Sequence, residues 1–268
     1  MQPVRPPAVA GMFYPGSQPA LARDVRALLD AAPACDDSVQ PKALIVPHAG
    51  YIYSGATAAA AYALLTPWRD AIRRVVLLGP VHRVPVRGLA LPGASTFTTP
   101  LGEVAVDPAL RTAVAALPQV NTSEAAHAME HSLEVQLPFL QSVLHDFTLL
   151  PLAVGDATPE EVAEVLETLW GGPETLIVIS SDLSHYHPYR AAQALDHATV
   201  ERILRLDGPL THEQACGGTP INGLLLAARR HRLQPRLMHL CNSGDSAGDK
   251  GRVVGYASIA LAEAGHGH

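Results

Sequence analysis

Positive charge is scarce in this sequence and is not concentrated in any segment. Lys and Arg together number 19 against 25 Asp and Glu, which gives a formal net charge of -6. Proteins that bind nucleic acid carry a basic patch or stripe that meets the phosphates. The sequence has no Lys/Arg cluster and no basic aromatic stripe, so we do not expect nucleic acid as a partner.

The sequence also lacks a segment that could cross a membrane or direct secretion. It contains no run of 18 apolar residues, and its first residues show no apolar signal-peptide core. Three cysteines, Cys35, Cys216 and Cys241, are odd in number, far apart and without a CxxC pair, which argues against a disulfide framework or a zinc ribbon. We therefore expect a cytoplasmic protein with no membrane partner.

Helical and strand patterns alternate along most of the chain. Hydrophobic residues make up 48% of the 268 residues and charged residues 16%, which is enough apolar surface for a large core. With no internal repeat or long linker, this alternation predicts a single α/β domain over residues 1–268. We expect a largely parallel or mixed central sheet with helices on both faces and a short tail at 263–268.

The strongest strand predictions are three segments with a mainly apolar core, at 43–47, 74–80 and 175–182. Shorter or weaker patterns add strands near 88–93, 103–107, 148–155, 236–240 and 253–261. Apolar residues at helical spacing predict helices at 19–32, 56–65, 108–117, 131–144, 159–170, 190–206 and 221–231. The helix over 131–144 is expected to be kinked by Pro138.

Each of the three strongest strands ends in a titratable group. The first leads into His48, the second into His82, and the third into Asp182 and then His185. In open α/β sheets, ligands bind at the carboxyl edge of the strands, where the loops are free to converge. If these strands are parallel neighbours, the four side chains come together, and the sequence predicts a functional cluster at this edge.

A late loop at 242–251 offers Asp245 and Asp249 to the same edge. Asp, Ser and Gly are also ordinary turn residues, so the loop alone does not identify a site. However, two histidines and one carboxylate form the facial set that leaves open positions on Fe(II). His185, oriented by Asp182, is then expected to donate or accept a proton near the metal.

The stretch HAMEH, residues 127–131, supports a different interpretation. It matches H-x-x-E-H, in which two histidines bind zinc and the glutamate activates water. Such a site needs a further carboxylate far downstream, and Glu201 or Asp207 would have to supply it. Nothing in the surroundings of these two residues favours that role, so a zinc-dependent hydrolase is the less favoured hypothesis.

His131 is instead predicted to act in the same crevice as the other histidines. The helical stripe begins only after His131, which places this residue at the start of a helix. A helix start lowers the pKa of a histidine because it disfavours the positive charge. We expect His131 to take part in catalysis, with Glu130 or Glu134 ordering the backbone or the side chains.

Seven ordered motifs resemble those of the Memo family, known in prokaryotes as AmmeMemoRadiSam system protein B. The resemblance extends from about residue 5 to residue 262. It implies a fold similar to that of the class III extradiol dioxygenases, which are nonhaem iron enzymes, and an association with AMMECR-type and radical-SAM proteins. The motifs are PAVAGMFYPG, VPHAGYIYSG, LGPVHRVPVRGLALPGASTFTTPLGEVAVD, EHSLEVQLPFLQ, SSDLSHY, TPINGLLLAA and NSGDSAGDKGRVVGYASIAL.

The resemblance also implies roles for individual residues. His48 and His82 match the two metal-binding histidines of the family. His185 matches its additional active-site histidine, and Asp182 matches the neighbouring acid.

The third metal ligand is where the sequence departs from the family. Animal members have a cysteine in the last loop, where this chain has Ser246. The dioxygenase relatives use a carboxylate, which points to Asp245, while Asp249 and Cys241 are the alternatives. Without a thiolate in this loop, a copper(I) site is less favoured than Fe(II).

The expected function is therefore that of a nonhaem iron redox enzyme related to the extradiol dioxygenases, with copper or zinc as alternative metals. Its ligand would be a small molecule or a peptide in the metal crevice. The chain has only seven Tyr, four Phe and two Trp, and the sequence does not identify a pocket for an aromatic substrate. The alternative is a partner protein that binds a metal or peptide without turnover.

Overall fold

The computed structural model describes residues 3–33 and 39–263. Cys35 and the end of the predicted tail, 264–268, lie outside the described residues. The strands are β1 (Val4–Arg5), β2 (Pro41–Val46), β3 (Arg74–Pro80), β4 (Leu89–Leu91), β5 (Thr96–Thr99), β6 (Gly102–Ala105), β7 (Val120–Thr122), β8 (Thr148–Val154), β9 (Thr175–Ser180), β10 (His185–His187), β11 (Leu233–Asn242) and β12 (Val253–Glu263).

The α-helices lie between these strands. They are α1 (Gln18–Asp30), α2 (Tyr51–Tyr62), α3 (Pro108–Val114), α4 (Glu124–Ala128), α5 (His131–Glu134), α6 (Leu137–Val143), α7 (Pro159–Thr168), α8 (Tyr189–Leu204), α9 (Gly218–Arg230) and α10 (Ser243–Ser246). A 3₁₀ helix at Ala63–Trp68 follows α2. Among the described residues, no helix is both long and apolar enough to cross a membrane.

A mixed sheet forms the centre of the fold. Its four inner strands run parallel in the order β2, β9, β3 and β8. Antiparallel strands flank them: β12, which also pairs with β10 and β11, lies beside β2, and β4 lies beside β8. A second, smaller sheet is formed by β1, β5 and β6. The order puts the carboxyl ends of β2, β9 and β3 side by side.

The apolar pattern of the inner strands explains why they form this sheet. Strands β2 and β9 are buried at every position, and β3 and β8 at all but the first, as expected for parallel strands covered on both faces. Helices α1, α2 and α6 pack together on this core, while α7 packs on α9. The predicted α/β class, with a mixed central sheet and helices on both faces, is confirmed.

The segment 131–144 differs from the single kinked helix predicted there. It forms two helices, α5 and α6, with Pro138 in the first turn of α6. A proline fits this position because its missing N–H would have no partner there. The Gln136 side chain, in the break, donates to Pro47 O at 2.9 Å and to Ser180 Oγ at 2.8 Å. These two hydrogen bonds attach the segment to the carboxyl ends of β2 and β9.

A buried carboxylate attaches the amino-terminal segment to α5. Glu134, which is 0% exposed, forms an ion pair with Arg5, which is 5% exposed. It also accepts hydrogen bonds from Ala8 N at 2.7 Å, Val9 N at 3.0 Å and Tyr14 Oη at 2.6 Å. Since buried charges are stable only when paired and hydrogen-bonded, this network fixes the segment against the helix.

Replacing Glu134 is expected to destabilise the protein strongly. In Glu134→Ala, Arg5 stays buried without its partner, and breaking a buried pair costs about 3–5 kcal/mol of unfolding free energy. Urea denaturation of the variant and the wild type measures the difference. Glu213→Ala, at an exposed position, is the control and is expected to change the unfolding free energy by less than about 0.5 kcal/mol. Equal effects of the two substitutions would contradict the network's role.

Candidate metal centre

Three histidines converge at the carboxyl edge of the central sheet. His48 follows β2, His82 follows β3, and His131 is the first residue of α5. One ligand nitrogen from each lies within 4.8 Å of the other two. Their ring centroids are 5.2 Å apart for His48 and His82, 5.4 Å for His48 and His131, and 4.6 Å for His82 and His131.

The hydrogen bonds around His48 determine which of its ring nitrogens can bind a metal. Ser180 Oγ donates to Ser132 O at 2.6 Å and accepts from Gln136 Nε2 at 2.8 Å. Its proton is thus already committed, so the 2.9 Å contact with His48 Nδ1 has the imidazole N–H as donor. The lone pair of His48 is therefore on Nε2.

Glu130 orients the other two histidines. Its Oε1 accepts from His82 Nδ1 at 2.9 Å and lies 3.4 Å from His131 Nδ1. Its two oxygens also accept from His82 N at 2.7 Å and Ser132 N at 2.9 Å. A carboxylate that accepts from the far nitrogen of a histidine fixes the ring and leaves Nε2 free for a metal. Glu130 does this for His82 and favours the same arrangement in His131.

The electrostatic environment keeps the buried members of this group neutral. Burial is the largest cause lowering the pKa of His48 well below its usual value, and nearby His82 and His131 add to it. Burial also lowers the pKa of His131, although Glu130 partly opposes this. Burial alone would raise the pKa of Glu130, but hydrogen bonds from His82 and Ser132 outweigh it and lower the pKa to about 2.

The donor set fits a transition-metal ion. Metal binding by histidine requires a neutral imidazole, and imidazole nitrogens suit iron, zinc, copper and nickel. His48 is buried, His131 is half-buried and His82 is exposed, so the group has one side open to incoming ligands. These residues could hold one metal ion and leave further coordination positions for a substrate.

Asp182 and His185 lie beside this group. One oxygen of Asp182 accepts from His48 N at 2.7 Å, and the other lies 3.9 Å from His48 Nε2. Burial raises the pKa of Asp182 above its usual value. His185 Nδ1 donates to Leu183 O at 2.9 Å, and a positive charge on His185 would lower the pKa values of both His48 and Asp182. Both residues therefore influence the charge of the histidine group.

In the late loop, the side chains expected to offer a third ligand have other hydrogen-bond partners. Asp245 caps the short helix α10, accepting from Asn242 N at 2.9 Å and from the hydroxyl of Tyr189. Asp249 accepts from Gly251 N at 3.0 Å, and Cys241 contacts Thr57 Oγ1 at 3.1 Å. Among the described residues, it is His131, and none of these three, that joins His48 and His82 in the group of close ligand atoms.

The HAMEH motif does not form a pair of metal ligands. His127 is buried and its Nε2 donates to Ala90 O at 2.8 Å, whereas His131 joins the group at the sheet edge. Glu130 binds His82 and the α5 backbone. The two histidines of the zinc-protease pattern therefore lie in different environments. His127 is buried in the interior, and only His131 lies at the sheet edge.

One further residue near the cluster, Cys216, has no functional signal in the sequence. Cys216 Sγ lies 3.3 Å from His48 Nε2, and burial raises the pKa of this thiol to about 12. Cys216 follows no predicted strand and belongs to no metal-binding spacing, so only the folded chain brings it to His48.

Comparison with known proteins identifies similar chains. The family model described as Memo-like protein matches residues 5–260. A MEMO1 family protein from Aquifex aeolicus is 36% identical, covering 96% of this chain and 98% of that protein. One from Archaeoglobus fulgidus is 37% identical, with 96% and 98% covered.

One solved structure, that of an uncharacterized protein from Escherichia coli K12, has a similar fold. It aligns with a TM-score of 0.54 at 16% identity, covering 81% of this chain and 98% of that one. At this identity the likeness concerns the fold alone.

Removing the charge of Glu130 is expected to weaken metal binding without removing a metal ligand. Glu130→Gln keeps the side-chain shape but offers His82 Nδ1–H only a neutral amide oxygen, which is a weaker acceptor than the carboxylate, and such outer partners are worth about 10- to 100-fold in affinity. Titration of the metal-free protein with Zn²⁺ measures the dissociation constant. Glu124→Gln, at an exposed position of the same segment, is the control. Equal affinities in both variants would show that Glu130 does not orient the ligands.

His127 is expected to make the protein less stable in acid. Burial lowers its folded-state pKa to about 4, whereas the unfolded value is about 6.5. Between these values the unfolded chain binds more protons, so unfolding free energy falls as the pH is lowered from about 6.5 to about 4, by roughly 3 kcal/mol.

The comparison that isolates this effect is the difference in unfolding free energy between the wild type and His127→Gln. We expect the wild type to lose about 3 kcal/mol relative to the variant as the pH is lowered from 7 to 4, measured by urea denaturation. His197→Gln, at an exposed position of α8, is the control. A difference that stays constant with pH for His127→Gln would contradict the prediction.

Proposed function

The chain belongs to the Memo family, and on this basis we propose that it holds one Fe(II) ion with His48, His82 and His131 and carries out redox chemistry on a small organic substrate. The observation that carries the proposal is the group of three ligand nitrogens within 4.8 Å of one another, with Glu130 behind two of them. Zinc and copper are the alternative metals, because imidazole nitrogens bind them as well.

The choice of iron follows from the family's resemblance to the extradiol dioxygenases. Three protein ligands on one side of an iron ion leave positions for further ligands. When bound, the metal would supply a redox-active centre at which dioxygen and an organic molecule can meet. In place of the carboxylate expected from Asp245, the proposed third ligand is the imidazole of His131.

The residues around the metal would then bind the substrate and move protons. A cavity of about 590 Å³, within the range typical of small-molecule sites, is lined by His82 together with apolar residues such as Pro80, Val86 and Val154. His185 donates Nδ1–H to Leu183 O, so its Nε2 can accept a proton from a bound molecule. Burial raises the pKa of Asp182, which makes its carboxylate a better proton acceptor for a bound molecule.

A second function is supported by an apolar surface next to the site. Met12 and Ile52 are 71% and 70% exposed and line a cavity of about 570 Å³ with Phe13, whose ring lies 4.8 Å from that of His131. Exposed apolar side chains around a groove are typical of protein or peptide binding. The chain could therefore bind a peptide beside the metal without turnover. The family resemblance suggests AMMECR-type and radical-SAM proteins as partners. We place this interaction in the cytoplasm.

Metal content and oxygen uptake test the proposal. Protein purified anaerobically is expected to bind about one iron per chain and to consume oxygen with at least one member of a catechol panel. The double variant His48→Ala/His82→Ala should lose both properties, while His145→Ala, at an exposed position, should keep them.

The outcomes separate the competing functions. Stoichiometric iron without oxygen uptake for any substrate would favour the non-catalytic alternative. Retention of zinc together with peptide hydrolysis would revive the hydrolase hypothesis. Metal binding that survives in the double variant would show that the metal site lies elsewhere.

A further inference from the structure

The thiol of Cys216 contacts His48 at the ring nitrogen proposed to bind the metal. Its Sγ lies 3.3 Å from His48 Nε2, the nitrogen on which the hydrogen bonds of Ser180 place the lone pair. Without a metal, this distance fits a hydrogen bond in which the thiol donates to the imidazole. A metal ion that takes the same lone pair removes the acceptor of this hydrogen bond, so the sulfur must find another partner.

The loop around Cys216 is held tightly against the end of β9. Cys216 N donates to Asp182 O at 3.2 Å, and Asp182 N donates to Cys216 Sγ at 3.3 Å. The next residue, Gly217, donates to Ser181 Oγ at 2.9 Å, and a Cβ on it would lie 2.6 Å from Ser181 Cβ and 2.8 Å from Ser180 O. Only glycine allows this approach, and the approach is what brings the thiol to His48.

Cys216 and His82 also line the same cavity of about 590 Å³. The thiol therefore contacts His48 directly and shares open space with a second metal-binding histidine. Cys241, the other cysteine in the described part of the chain, has neither relation, since it lies on β11 and contacts Thr57.

The distance from the sulfur to His48 fits two ligands of one metal ion. With metal–nitrogen bonds of about 2.0 Å and metal–sulfur bonds of about 2.3 Å at tetrahedral angles, the two ligand atoms are roughly 3.5 Å apart. The observed separation is 3.3 Å. The sulfur is not within 4.8 Å of all three histidine nitrogens, so ligation requires the Cys216 side chain to rotate toward His82 and His131 while its distance to His48 Nε2 stays near the observed value.

We propose that Cys216 is a fourth, thiolate ligand of the metal held by His48, His82 and His131, an inference that rests on the proposed metal centre. On binding, the S–H bond breaks, the sulfur keeps the electron pair and forms the bond to the metal, and the proton leaves to solvent. Neither sulfur nor metal changes oxidation state. A soft sulfur donor strengthens binding of zinc and copper(I) and is compatible with iron.

Cobalt(II) spectroscopy tests this ligand without relying on activity. Cobalt bound through sulfur shows an intense sulfur-to-metal charge-transfer band in the near ultraviolet, whereas cobalt bound by imidazoles alone shows only weak visible bands. We expect the intense band in the wild type and in the control Cys241→Ser, and its loss in Cys216→Ser and Cys216→Ala. The dissociation constant for cobalt should rise by about tenfold or more in the two Cys216 variants, at least as much as for loss of an outer partner.

The outcomes distinguish this inference from the proposed metal centre. Stoichiometric cobalt in the wild type without the intense band, or a band that persists in a Cys216 variant, would overturn the thiolate ligand and leave the three histidines in place. A wild type that binds no cobalt, zinc or iron would overturn both. Two different replacements of Cys216, each checked for native circular dichroism, separate loss of the ligand from loss of the fold.

Discussion

The buried carboxylate of Glu130 is the constraint on which the rest of the site depends. It accepts hydrogen bonds from two atoms of His82 and from the first turn of α5, and it lies 3.4 Å from His131 Nδ1. Because a buried charge must be satisfied on several sides, the loop after β3 and the start of α5 are held together by one side chain. Glu130 thus aligns two of the three proposed ligands.

The remaining proposed ligand, His48, is oriented by a neutral hydrogen-bond network instead. Ser180 Oγ accepts from His48 Nδ1 because Gln136 and Ser132 use its other hydrogen-bonding capacity. Both arrangements leave Nε2 free on the side where the rings meet. The three ring nitrogens are therefore already oriented without a metal, which would reduce the cost of ordering them if a metal binds.

The sequence was sufficient to predict that His48 and His82 meet at the carboxyl edge of the sheet, but not which side chain lies beside them as the third member of the group. The apolar runs before His48 and His82 correctly predicted β2 and β3, and the predicted bounds of β3 equal the observed ones. Both strands pair in parallel with β9, which brings their carboxyl ends together. His131 was assigned to the same crevice from its place at a helix start. Its place beside His48 and His82 was not predictable, because α5 approaches the sheet through the buried side chains of Glu130 and Glu134, and such long-range contacts leave no periodic pattern.

Two other features depended on tertiary contacts in the same way. Asp245 is an ordinary turn residue by sequence, and in the structure it caps α10. Cys216 reaches His48 because Gly217 lets the loop approach β9, a relation between residues 168 positions apart. Local patterns identify elements and strand ends, whereas the choice among nearby polar residues is made by packing.

The most direct measurement is the position of the metal in crystals grown with iron or zinc, located by anomalous X-ray scattering at the absorption edge of that metal. The account predicts one strong peak about 2.0–2.2 Å from Nε2 of His48, His82 and His131. A peak at Asp245 or in the late loop, or a peak bound by fewer than two of these three histidines, would contradict it.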